Sequence, residues 1–199
     1  MIERNRRRRS RVSRLAIAAV LCGPLADALH AQVPQERLAL CATCHGEKGN
    51  SRIEKTPSLA GQPALFLTNQ MILMRDKVRK SEVMEPFVKG LKDEEIIALA
   101  EHYAKLPSAP SDEPVDQTLA PRGAELARKL FCGSCHLPDY SGRAQIPRLK
   151  HQRVDYTIDS LTGYRAGRRS GIDTSMNAVM YEVSDRDIKA LAHYLGTVR

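Results

Sequence analysis

The 199-residue chain has no Trp, three Phe and six Tyr, so it lacks most of the large aromatic side chains that ordinarily fill a core. Long hydrophobic runs are missing as well. The apolar stretch near the start, Leu15 to Leu21, is too short to cross a bilayer, which excludes a multi-span membrane protein. With 42% apolar residues the chain is nevertheless too hydrophobic to be disordered throughout. Positive charge is plentiful, at a formal +8, and that alone would point to nucleic acid.

The location of that charge changes its meaning. Seven Arg lie between Arg4 and Arg14, followed by the short apolar run, a break at Gly23 and Pro24, and small residues before Gln32. This order of basic, apolar and small residues reads as a secretory signal over residues 1–31, with cleavage expected after Ala31; Ala28 and retention as an anchor are the alternatives. Removing those residues takes away seven basic and two acidic side chains and lowers the charge to +3. The argument for a nucleic-acid partner loses its main support, and export to the periplasm becomes the expected localisation.

Cysteine is scarce but patterned. Apart from Cys22, the cysteines occur as Cys41-Ala42-Thr43-Cys44-His45 and Cys132-Gly133-Ser134-Cys135-His136. Cys-x-x-Cys-His is the attachment pattern for c-type haem: one helical turn puts both sulfurs on the same porphyrin edge, and the following His points beneath the ring toward the iron. A four-Cys zinc site would place its pairs about 15–20 residues apart, whereas these lie 91 apart. That site would also leave both His residues unexplained, and two redox-active disulfides would suit an oxidising compartment but come with a strand and helix alternation that is absent here. Two covalent haem c groups are therefore expected, held by Cys41, Cys44, Cys132 and Cys135, with His45 and His136 directed at iron.

The repeat extends beyond the cysteines. Pro57-Ser58-Leu59 with Gln62 matches Pro147-Arg148-Leu149 with Gln152, Arg75 and Arg79 match Arg165 and Arg169, and Asp93 to Ala100 mirrors Asp185 to Ala192. Offsets stay at 90 to 92, so the chain is a tandem duplication. The expected organisation is a first domain over 32–106, a Pro-rich acidic linker over 107–121 and a second domain over 122–199. No alternating strand pattern occurs. Helices are expected from Asp93 to Leu106, from an N-cap at Ser184 toward Val198, over Ala64–Arg75 and Tyr156–Arg165, and from Gly123 to Phe131 into the second haem motif. Domains of about 75 residues bury too little apolar area to be comfortably stable alone. Haem would complete each core and compensate for the missing aromatics.

Two haem motifs, a Pro-x-Leu step, an Arg-rich loop before a Met and an Ala-Leu-Ala terminal helix together resemble two-haem class I cytochromes c of the cytochrome c4 type, over nearly the whole mature chain. The resemblance implies an all-α fold, two class I domains around covalent haems related by a pseudo-twofold axis. It also makes His45 and His136 proximal ligands, Met84 and Met176 distal ligands, and the carbonyls of Pro57 and Pro147 acceptors for the proximal imidazole N–H. The second copy departs from the pattern at Lys150-His151-Gln152, where the first has Ala60-Gly61-Gln62. His151 is assigned no role.

A thioether is a neutral, soft ligand that favours ferrous iron and fills the sixth position, which suits electron transfer rather than oxygen activation. Of the other methionines, Met71 and Met74 read as packing and Met180 as a competitor of Met176; the repeat alignment selects Met84 and Met176. His102 and His193 read as packed or surface residues on the terminal helices. No fifth Cys remains to make a His/Cys-ligated catalytic haem.

Function is therefore expected to be electron carriage, not catalysis, from a quinol-oxidising complex or dehydrogenase to a terminal oxidase or reductase. A cytochrome subunit of a periplasmic dehydrogenase, such as a flavin-containing sulfide-oxidising enzyme, is the nearest alternative; a two-haem peroxidase is a more distant one. Partners would be redox proteins, with loose membrane association and either a monomer or a hetero-complex left open. The run Arg165, Arg168, Arg169 reads either as a solvated face or as a docking and propionate-pairing patch.

Overall fold

The computed structural model describes residues 33–169 and 171–199. The expected signal segment lies outside the described residues. Among those residues the regular structure is helical, apart from one isolated antiparallel bridge between Arg143 and Ile146. The first half contains α1 (Gln35–His45), α2 (Ala64–Arg75), α3 (Glu85–Val88) and α4 (Asp93–Lys105). The second contains α5 (Ala120–Lys129), α6 (Cys132–His136), α7 (Val154–Arg165), α8 (Ser175–Met180) and α9 (Asp185–Thr197).

The long terminal helices start where their first turns can satisfy backbone donors. Ser184 Oγ accepts from Asp187 N at the head of α9, at 3.2 Å. At α4 the N-cap is Lys92, whose side chain has no acceptor; Glu95 supplies one by reaching back to the Lys92 N–H at 2.9 Å. Each helix is also tied to its neighbour by a pseudo-equivalent Arg. Arg75 donates to Leu91 O (3.1 Å) and Asp93 (2.6 Å), and Arg165 to Val183 O (2.9 Å) and Asp185 (2.5 Å).

Two separate cores result. Leu67, Met74, Val88, Leu91, Ile96 and Leu99 are buried in the first half, and Ala127, Met180, Val183, Ile188, Leu191 and Leu195 in the second. The apolar stripes expected on α4 and α9 are the ones that face these cores.

Two local expectations need correction. Helix α5 begins at Ala120, inside the segment read as linker, because Pro121 fits a first helical turn whose N–H groups have no intrahelical partner. It stops at Lys129 rather than running to Phe131, which adopts a left-handed conformation (φ 53°) and separates α5 from α6. In the first half the corresponding helix continues unbroken through Cys41 and Cys44 to His45.

The linker is extended, as its prolines dictate, but it is fastened at several points. Asn50 holds Pro107 O (3.1 Å) and Ala109 N (2.8 Å), and Asp116 N donates to His193 Nδ1 at 3.1 Å. Glu113 accepts from Val154 N (2.6 Å) and Asp155 N (3.0 Å), so an acid of the linker caps α7.

Where α5 crosses α9 the backbones approach closely at Gly123. A Cβ there would lie 2.0 Å from Ala190 O and 2.5 Å from Tyr194 Cβ. Gly123→Ala should therefore destabilise the second half by about 1–3 kcal/mol as the helices are forced apart. Gly90→Ala, whose Cβ would meet nothing within 4 Å, should leave thermal unfolding of the haem-loaded protein nearly unchanged.

Candidate functional site: two Cys-x-x-Cys-His haem sites

Each Cys-x-x-Cys-His motif occupies one helical stretch, which brings its two thiols and its imidazole to one side. Cys41 and Cys132 are partly buried, Cys44 and Cys135 are exposed, and none of the four is paired in a disulfide. Among the described residues no group of three His, Cys, Asp or Glu is placed to hold a metal ion.

The two imidazoles are buried and oriented alike. His45 Nδ1 lies 2.9 Å from Pro57 O, and His136 Nδ1 lies 2.8 Å from Pro147 O. A carbonyl only accepts, so Nδ1 carries the proton in each ring. Burial lowers both imidazole pKa values, opposed by the hydrogen bond to Pro57 or Pro147. The neutral ring then leaves the Nε2 lone pair free for a metal.

Met84 precedes α3 and Met176 lies on α8; both are partly buried at the edge of their own core. Met180 is 2% exposed and stands where the first half has Val88, also 2% exposed. Val offers no ligand atom, so a ligand role for Met180 would have no counterpart in the first half.

The Arg run divides into three different roles. Arg165 pairs with Asp185, Arg168 is exposed, and Arg169 turns inward against the rings of Tyr164 (4.9 Å) and Tyr156 (5.6 Å). Burial of the Tyr156 hydroxyl is outweighed by Arg169 and by Arg79 of the first half, which together draw its pKa down to about 7. No carboxylate pairs with Arg79, Arg148 or Arg169 among the described residues, and the buried Nε atoms of Arg148 and Arg169 have no partner. Haem fits this chain: paired thiols and a neutral imidazole stand in each half, and the unpaired guanidinium groups suit propionate carboxylates.

The halves meet through a reciprocal polar contact. Gln62 accepts from Arg148 N (3.0 Å) and donates to Arg148 O (2.9 Å), while Gln152 accepts from Ser58 N (2.8 Å) and donates to Ser58 O (3.0 Å). Ser58 and Arg148 are repeat equivalents, as are Gln62 and Gln152, so the contact follows a pseudo-twofold axis. The repeat marks both glutamines, but nothing in the sequence shows that each reaches the other copy. His151, left without a role by sequence, is partnered by Ser108 Oγ of the linker at 3.1 Å.

Comparison with known proteins gives this architecture a family. Residues 120–199 match the model for cytochrome c, and residues 35–102 the model described as cytochrome c oxidase, cbb3-type, subunit III. Cytochrome c4 from Thiocapsa roseopersicina is 33% identical, the alignment covering 78% of this chain and 85% of that protein. The chain belongs to the cytochrome c4 family. The crystal structure of reduced recombinant cytochrome c4 from Pseudomonas stutzeri superimposes with a TM-score of 0.77 at 30% identity, over 83% of this chain and 96% of that one. A protein from Thiomonas intermedia named thiosulfate dehydrogenase electron acceptor is 30% identical over 92% of this chain and 90% of its own length. This cytochrome c4 chain thus holds two covalent haem c groups and is an electron-transfer protein rather than an enzyme.

Proposed function

We propose that this chain is a periplasmic carrier that takes electrons from a quinol-oxidising complex or a dehydrogenase and passes them to a terminal oxidase or reductase. The observation that carries this reading is the pair of matched, buried imidazoles, each with two thiols and a thioether in the same half. Bound haem supplies a one-electron iron couple. Cys41, Cys44, Cys132 and Cys135 would anchor it, and His45 and His136 would offer Nε2 to its iron. Met84 and Met176 would offer it their thioethers, which would leave little room for water or peroxide at the iron. Arg79 and Arg169 bring positive charge to the propionates.

A relative named as the electron acceptor of thiosulfate dehydrogenase favours a dehydrogenase over a quinol-oxidising complex as donor. Rapid mixing of the oxidised protein with each class of reduced donor tests this. Second-order reduction that slows with salt is expected for the true partner. Rapid peroxide turnover by the untreated protein would contradict a carrier role. Periplasmic location is tested by fractionation together with N-terminal sequencing, which should begin at Gln32.

A further inference from the structure

The reciprocal glutamines touch more than an interface. The Ser58 N–H that Gln152 accepts belongs to the same peptide group as the Pro57 carbonyl that accepts from His45. Likewise the Arg148 N–H bound by Gln62 shares its peptide group with the Pro147 carbonyl that accepts from His136. A peptide group is a conjugated unit, so an acceptor drawing on its N–H places more negative charge on its carbonyl oxygen. That oxygen then pulls harder on the imidazole Nδ1–H, and the ring becomes a stronger donor at Nε2. Both glutamines are buried, 3% and 7% exposed, where water competes little for these bonds.

We infer that each half tunes the haem of the other: Gln152 sets the donor strength of His45, and Gln62 that of His136, through the intervening Pro57–Ser58 and Pro147–Arg148 peptide groups. Gln62 and Gln152 are thus positioning residues that act through the proximal imidazoles, and the inference rests on His45 and His136 being the iron ligands. A stronger imidazole donor stabilises ferric iron, so each Gln holds the potential of the opposite haem down.

The test is a redox titration of the two-haem protein carrying Gln152→Leu or Gln62→Leu. Each potential is assigned by repeating the titration with Met84→His or Met176→His. Gln152→Leu should raise the first-half potential and move the second-half potential by less than half as much; Gln62→Leu should do the reverse. The His45 Nδ1–H resonance of the reduced protein should move upfield in Gln152→Leu, with the His136 resonance unchanged. Because Leu also removes the donor to Ser58 O and could open the interface, Gln152→Glu provides a second variant that keeps the acceptor. Its first-half potential should not rise. Equal shifts of both haems, a shift confined to the mutated half, or a rise in Gln152→Glu matching that in Gln152→Leu would each overturn the inference. Failure of the ligand assignment itself would look different, as a high-spin ferric spectrum in the unmutated protein.

Discussion

Replacing Cys132 and Cys135 by Ala should yield a protein lighter by one haem, with about half the Soret absorbance, whose first half remains folded. The two cores do not merge, and each is made of a small set of buried apolar side chains. A unit of about 75 residues depends on its prosthetic group for stability because too little apolar area is buried without it. Amide exchange should consequently quicken throughout α5, α7 and α9 while α2 and α4 stay protected. Cys41→Ala with Cys44→Ala should give the mirror-image pattern. Intact mass decides the first point: a Cys132/Cys135 variant that still carries two covalent haems would contradict the attachment.

Met84→Ala and Met176→Ala should each remove about half of the weak far-red sulfur-to-iron band of the ferric protein and admit cyanide rapidly at one haem. Met180→Ala should leave that band intact yet lower stability by about 2–5 kcal/mol, the usual loss for truncating a buried Met. The distinction comes from packing. Met180 and its counterpart Val88 are almost fully enclosed, whereas Met84 and Met176 lie at the edges of their cores with surface left to face a ligand. A band that vanished with Met180 and survived without Met176 would transfer the ligand role.

Features written in short-range spacing were the ones legible in sequence. Helix positions followed from apolar periodicity and from capping residues such as Ser184, and the haem motifs and the duplication followed from repeats at fixed offset. Contacts between distant segments left no such trace. Gln62 meets Arg148 across 86 residues and Gln152 meets Ser58 across 94, and only folding decides which copy each touches. The two readings of the Arg run were not separable in sequence because neighbouring residues on a turn point in different directions: Arg165 finds Asp185 while Arg169 turns inward. The Lys150-His151-Gln152 departure has a conformational explanation. Position 151 and its equivalent Gly61 both have positive φ, 59° and 66°, so His151 fills a left-handed position that suits glycine. The fastening of the linker was also hidden, since an acidic residue such as Glu113 reads equally well as solvated.

The fastened linker bears on how the two redox centres meet. Separate domains would have to offset the translational and rotational entropy lost on association at every encounter. Tethering replaces bulk concentration with an effective concentration in the millimolar range or above. Glu113, Asp116 and Ser108 shorten the tether further by clipping it to α7, α9 and the turn at His151. Electron exchange between the halves should therefore be first-order, with a rate independent of how much protein is present.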